Sequence, residues 1–261
     1  MDLVRKIADY LRFWVLAGDL HRLHSPFLFE WYKEVVAMPK DFYAFYQIQE
    51  IRLQLLHNQR VIQIQDFGAK GQKQAIRTEK ISQIARRTSV KPKIGEFLFR
   101  MVDYFSPKTI VELGTSCGIS TLYLSEAAKK NAKMYSLEGS EALLEIAKKN
   151  LENKHSIDWI LGNIDQTLEK TLEKIEKLDF VFFDANHRYE ATMRYFETCL
   201  KKAHQDSVFI FDDIYWSAEM KKAWKEICAN EKIGFSIDFF EVGVVFFRQK
   251  QAKQHFLLKL G

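Results

Sequence analysis

Two acidic stretches and one glycine-bearing turn hold the side chains best suited to chemistry. FVFFDANHRYE ends an apolar run on Asp184 and sets His187 three residues further on, while VFIFDDIYW ends a second apolar run on Asp212 and Asp213. If the two runs are neighbouring strands of an open α/β sheet, their carboxyl ends face one crevice. Carboxylates gathered there repel one another unless they are protonated or bridged by a cation. An all-oxygen set suits a hard divalent ion, Mg²⁺ or Mn²⁺. Capping is the plainer alternative, with Asp212 and Asp213 on the turn after their strand and His187 on the helix that it precedes.

The turn lies in TIVELGTSCGIS, residues 109–120. A strand ends at Glu112, small residues follow, and Ser120 and Thr121 lead into a helix, so free backbone N–H groups and little side-chain bulk meet any ligand that approaches. This is a nucleotide-type cradle, but not the dinucleotide fingerprint G-x-G-x-x-G, because Ser116 and Ile119 stand where the second and third glycines belong. The next apolar run, KMYSLEGS, ends in Glu138, at the distance where an acid on a strand tip takes both ribose hydroxyls.

These residues need a scaffold, and the chain from residue 108 onward supplies its pattern. Short β-rich runs alternate with helical segments, as in a parallel sheet built from βαβ units. The expected strands are Thr109–Leu113, Lys133–Leu137, Ile157–Leu161, Asp179–Phe183, Ser207–Phe211, Phe235–Phe240 and Val244–Arg248. Only Glu241, Val242 and Gly243 separate the last two, too few for a parallel crossover, so an antiparallel hairpin is expected there. Ser140 and Ser217 each precede a sequence with apolar residues on one helical face. Residues 1–93 lack this alternation and read as a mainly helical cap: helices near 3–16, 26–37 and 42–57, a short strand at Val61–Gln65, a turn or loop at Asp66–Gly71, and a basic helix opening at Thr78.

ELGTSCGIS followed by the acid of YSLEGS resembles the first two motifs of the class I S-adenosylmethionine-dependent methyltransferases, in the form typical of catechol- and caffeoyl-CoA-type O-methyltransferases. The likeness spans residues 108–249. It implies a Rossmann-like α/β fold with a seven-stranded, mostly parallel sheet in the order 3-2-1-4-5-7-6, strand 7 antiparallel. It implies cofactor contacts from Glu112, Gly114, Thr115, Ser116, Gly118 and Ser120, from Glu138 and Gly139 at the ribose, from Asn163 and Asp165 of GNID by the adenine, and from Asp184. The D-x-x-H form is similar to that of macrocin-type sugar O-methyltransferases. That comparison makes Asp184, Asp212 and Asp213 metal ligands and His187 the general base. Catechol-type enzymes carry Lys in place of His187 and Asn in place of Asp213, so their substrate preference does not transfer.

The expected division is a substrate-recognition cap, 1–93, and a methyltransferase domain, 94–261. The leading expectation is an S-adenosylmethionine-dependent, metal-assisted O-methyltransferase of small molecules. Alternatives are a transfer-RNA hydroxyl methyltransferase and a non-catalytic cofactor-binding module. The RNA alternative rests on Arg77, Lys80, Arg86 and Arg87 and on charge asymmetry: residues 1–93 carry 16 Lys and Arg against 9 Asp and Glu, leaving 23 against 25 for the rest. Most often such cations are just a solvated helix face. His21 and His24 have a spacing of three but no further ligands near them, and stay outside the site.

With 47% hydrophobic and 28% charged residues in 261, collagen-like, disordered and disulfide-scaffold classes are excluded. Cys117, Cys199 and Cys228 form no C-x-x-C pair. Arg5, Lys6, Asp9 and Arg12 interrupt the apolar residues at the start, so neither a signal peptide nor a membrane span or membrane partner is expected. A cytoplasmic, reducing location and a homodimer through the cap complete the expectations.

Overall fold

The computed structural model describes residues 2–37, 40–66, 75–151, 157–249 and 252–260. The chain opens with α1 (Asp2–Leu16), α2 (Pro26–Tyr32, continued by a π-helical turn Lys33–Ala37) and α3 (Tyr43–His57). A hairpin of β1 (Val61–Asp66) and β2 (Ala75–Lys80) precedes α4 (Ile81–Thr88) and α5 (Pro92–Phe105). Alternation then sets in with β3 (Thr109–Leu113), α6 (Ile119–Ala127), β4 (Lys133–Glu138), α7 (Glu141–Asn150), β5 (Ile157–Leu161) and α8 (Ile164–Glu173). It continues through β6 (Leu178–Phe183), α9 (Tyr189–Leu200), β7 (Ala203–Asp212) and α10 (Ala218–Ala229). The last strands are β8 (Phe235–Asp238), β9 (Val242–Phe246) and β10 (Gln254–Leu257).

Contacts gather these elements into two compact units, Lys40–Lys174 and Met1–Pro39 with Ile175–Gly261. Residues 1–93 and 94–261, the division expected from the helical signals, are each shared between them. In the first unit β3, β4 and β5 run parallel in that order, with Leu113 paired to Leu137 and Glu138 to Leu161. Ile110, Val111, Met134 and Leu137 are buried. Helices α5 and α6 approach so closely at Gly95 that a Cβ there would stand 2.1 Å from the Tyr123 ring. Phe45 of α3 packs edge-on against Phe99 at 5.1 Å.

In the second unit β6 pairs parallel with β7, β9 runs antiparallel to β7, and β8 lies between β9 and β10. Phe180, Phe182, Phe209, Phe211 and Phe246 fill its core, and Trp31 of α2 meets Phe246 at 5.2 Å.

The α/β class, the mostly parallel sheet and the closing antiparallel pair all match the sequence reading. Each half of the expected order, 3-2-1 and 4-5-7-6, is present in its own unit. Two expectations need correction. Gln254–Leu257 forms a strand beyond the expected seven, β10, parallel to β8. Thr78–Lys80 is strand and not the start of a helix: pairing of Thr78 with Gln63 and of Glu79 with Ile62 completes the hairpin, and α4 begins only at Ile81. The turn Asp66–Gly71 lies outside the described residues beyond Asp66.

Candidate active site

In the unit Lys40–Lys174 the parallel register ends β3, β4 and β5 at one edge. Gly114, with φ of 100°, begins the turn after β3, and its N–H and that of Thr115 both donate to the Leu137 carbonyl, at 3.0 and 3.2 Å. Gly118, with φ of 84°, ends the turn where a Cβ would come within 2.9 Å of Ala147 on α7. Both positions require a left-handed backbone that favours glycine. Ser116, the non-glycine residue between them, also has a positive φ, 48°.

Glu138 joins this turn to the next. Its Oε2 accepts from the Ser116 N–H and its Oε1 from the Ser140 N–H, both at 2.8 Å. Ser140 thus contributes its backbone amide and makes no side-chain cap. Two such bonds fix the carboxylate at the strand tip while each oxygen keeps lone-pair capacity for ribose hydroxyls. Glu138, Gly139, Gly114 and Ser116 are half-buried among fully buried neighbours, so the groups aligned along the strand tips are reachable.

Glu112 is fully buried, and its Oε2 accepts from Thr121 and Ser136 at 2.6 Å each. It ties β3, β4 and α6 together beneath the turn. Thr115 bonds Ser136 at 2.6 Å in the same network, and Ser120 is buried. Asn163 caps α8, its Oδ1 accepting from the Asp165 N–H at 3.0 Å, and Asp165 stands exposed in the first turn. Thr88, at the end of α4, reaches the cradle through a 2.6 Å bond to Ser116 Oγ. No local signal marked it, since it lies in a different element.

The acidic group belongs to the second unit. Phe183 of β6 pairs with Phe211 of β7, and their rings stack at 4.2 Å and 11°. Asp184 and Asp212 follow directly, so strand register brings them side by side. His187 Nε2 lies 3.5 Å from Asp184 Oδ1 and 3.9 Å from Asp213 Oδ2. Neither Asp213 nor His187 is the N-cap of the helix that follows: the N-cap of α10 is Ser217, which accepts from the Met220 N–H at 3.1 Å, and that of α9 is Arg188, while Asp212 accepts a backbone hydrogen bond from Asp213 in the turn. Asp213 holds φ of 54°, a left-handed conformation that aims it out of the strand line.

The electrostatics follow from this crowding. Burial lifts Asp184 above the usual carboxylate range, His187 opposes that, and Asp213 adds to it. Burial and then the charges of Asp184 and Asp213 push Asp212 well above that range. Burial pulls the His187 imidazole down, but Asp184 and then Asp213 outweigh it, and the net direction is up. Among the described residues, no three His, Cys, Asp or Glu side chains are gathered as a ready-made ion site. The donor chemistry nevertheless fits a hard cation, because these carboxylates lack enough positive charge to keep their ordinary acidity.

Below the cluster, Asp238 holds the loop after β7. Its carboxylate accepts from Tyr215 at 2.9 Å, Trp224 at 3.3 Å and the Phe240 N–H at 2.8 Å. A lone acid in the apolar run FSIDFF was the available sequence signal. The basic residues proposed for RNA are partly committed: Arg87 makes paired bonds to Glu79, and Lys80 donates to Gln59 at 3.2 Å.

The architecture is that of the class I methyltransferases: parallel strands with helices between them, a glycine turn after the first, an acid at the tip of the second, and an antiparallel closing pair. Residues 111–214 match the family model described as "Methyltransferase domain". Among curated relatives, a catechol O-methyltransferase of Niastella koreensis is 25% identical over 130 residues, which is 48% of this chain and 58% of that protein. A catechol O-methyltransferase of Mycobacterium tuberculosis is likewise 25% identical over 130 residues, 49% of this chain and 58% of that protein. The chain thus spans less than two thirds of the relatives it matches. Among solved structures, an O-methyltransferase from Bacillus cereus in complex with SAH aligns with TM-score 0.55 at 19% identity, covering 80% of this chain and 92% of the other. The O-methyltransferase TomG from Streptomyces achromogenes in complex with SAM gives 0.57 at 14% identity, over 84% and 94%. No helix among the described residues is long and apolar enough to cross a membrane.

Proposed function

We propose that the chain is an S-adenosylmethionine-dependent O-methyltransferase acting on a hydroxyl of a small molecule, with residues 1–93 recognising the acceptor. The reading is carried by Glu138, a carboxylate fixed at a strand tip by the Ser116 and Ser140 amides beside a glycine turn. Its oxygens take the ribose hydroxyls, Gly114, Ser116 and Ser120 line the methionine end, and Asn163 and Asp165 flank the adenine. Bound there, S-adenosylmethionine supplies an electrophilic methyl group.

The acceptor falls to the acidic group. His187 takes the hydroxyl proton, and Asp184, beside its Nε2, stabilises the imidazolium that results. Asp184, Asp212 and Asp213 would hold a divalent cation, Mg²⁺ or Mn²⁺, which would lower the pKa of the acceptor hydroxyl. The raised pKa values of Asp184 and Asp212, caused by burial and then by neighbouring carboxylates, support this assignment. An RNA hydroxyl as acceptor has less support, since Arg87 and Lys80 are engaged within the protein.

The test is transfer of a labelled methyl group to a panel of catechols and vicinal diols, with Mg²⁺ and with chelator. Turnover that needs the ion and vanishes in Asp212→Ala supports the proposal. Turnover indifferent to both removes the metal, and no turnover with any acceptor removes the small-molecule reading.

A further inference from the structure

Thr88 is the last residue of α4, and the bonds of its hydroxyl fix which atom gives the proton to which. A threonine hydroxyl carries one proton and two lone pairs. Thr88 Oγ1 donates that proton to the Ile84 carbonyl at 3.0 Å, one helical turn back. The 2.6 Å bond between Thr88 Oγ1 and Ser116 Oγ therefore takes its proton from Ser116. Ser116 is then left with no donor to offer, because its amide N–H already goes to Glu138 Oε2 at 2.8 Å. What its side chain brings to the cradle is the acceptor capacity of Oγ.

We propose that Thr88 is a positioning residue, which holds the Ser116 hydroxyl as a hydrogen-bond acceptor for the ammonium at the methionine end of the cofactor. The inference rests on the cofactor reading and refines it. That end of S-adenosylmethionine carries a carboxylate, which only accepts, and an ammonium, which only donates. Against a residue whose two protons are both spent, the carboxylate would face bare lone pairs, whereas the ammonium finds the partner for a charge-assisted bond. Burial pushes the neighbouring Cys117 thiol up to about 11, so it stays neutral, and its bond with the Ser116 side chain engages no more than one of the two Oγ lone pairs. Ser116 also holds φ of 48°, where glycine is unstrained, so its side chain is kept at a conformational cost.

Helix α4 is itself held in place. Ile81, Ile84 and Ala85 are buried, and Arg87 makes paired bonds back to Glu79 on β2. The orientation of one hydroxyl in the turn after β3 thus depends on a helix and a hairpin that precede it in the chain. Without the Thr88 hydroxyl, Ser116 Oγ turns freely and can aim its proton, instead of a lone pair, at the ammonium.

Calorimetric titration of the full chain with S-adenosylhomocysteine, and with its deaminated analogue that keeps the carboxylate, tests the assignment in Thr88→Val, Thr88→Ser and Ser116→Ala. Thr88→Val keeps the shape of the side chain and loses only the hydroxyl, and a circular dichroism melt checks its fold. It is expected to weaken S-adenosylhomocysteine roughly 3- to 10-fold and to leave the analogue unchanged. Thr88→Ser restores the wild-type affinity. The double variant Thr88→Val, Ser116→Ala binds no more weakly than Ser116→Ala alone, because one hydroxyl acts through the other. Equal weakening of both ligands in Thr88→Val would make Thr88 a structural part only and overturn the proposal. So would an unchanged affinity for S-adenosylhomocysteine in that variant, which leaves the cofactor site standing. A wild type that binds no S-adenosylhomocysteine overturns the cofactor reading and this inference with it.

Discussion

His187 Nε2 stands 3.5 Å from Asp184 Oδ1, and Asp213 Oδ2 lies 3.9 Å from the same nitrogen. The two carboxylates favour the imidazolium more than burial disfavours it, so the folded-state pKa lies above the ordinary value. Such a shift stabilises the fold fully below the unfolded pKa, and the gain is lost as pH rises through the folded value. An NMR titration of the ion-free protein should therefore place the His187 midpoint above about 6.5 and move it down in Asp184→Asn. If His187 is the proton acceptor, His187→Ala lowers turnover roughly 10²- to 10⁴-fold. A midpoint at or below the ordinary value would contradict the electrostatic account.

Asp212 carries the opposite kind of cost. Its folded-state pKa is raised by burial and by Asp184 and Asp213, so its ionisation penalises the fold increasingly as pH rises above the unfolded value. Asp212→Asn should raise the melting temperature at neutral pH by about 2–4 °C, with the gain fading in acid, while turnover is lost. A neutral variant that melts lower at pH 7 would mean that the charge is already compensated.

Most of the sheet and both chemical clusters were legible because the signals are local. A strand ending in an acid, a glycine turn and an uncharged run each declare themselves within a dozen residues, and strand register then sets Asp184 beside Asp212. What escaped depends on tertiary partners. Lys80 and its neighbours read as helix until β1 pairs with them, and QHFL is too short to announce β10 without β8 beside it. Thr88 reaches Ser116 from another element. The resemblance implies a cofactor contact for Glu112, and the bonds it makes to Thr121 and Ser136 beneath the turn come from two other elements.

Asp238 is the hub under the acidic loop. Its removal leaves the Tyr215 hydroxyl, the Trp224 indole and the Phe240 amide without their acceptor. Asp238→Ala should cost about 2–4 kcal/mol in chemical denaturation, whereas Tyr215→Phe, which deletes one donor, should cost about 1 kcal/mol. Equal and small losses in both variants would show that the loop is held by its ring contacts alone.

The central claim is that Glu138 and the turn after β3 form the cofactor site. Calorimetric titration of S-adenosylhomocysteine into the wild type and Glu138→Gln tests it most directly. One-site binding weakened roughly 10- to 100-fold in the variant, with an unchanged fold by circular dichroism, is the predicted result, as expected for losing charged hydrogen bonds. No binding to the wild type, or equal affinity in the two proteins, would contradict it.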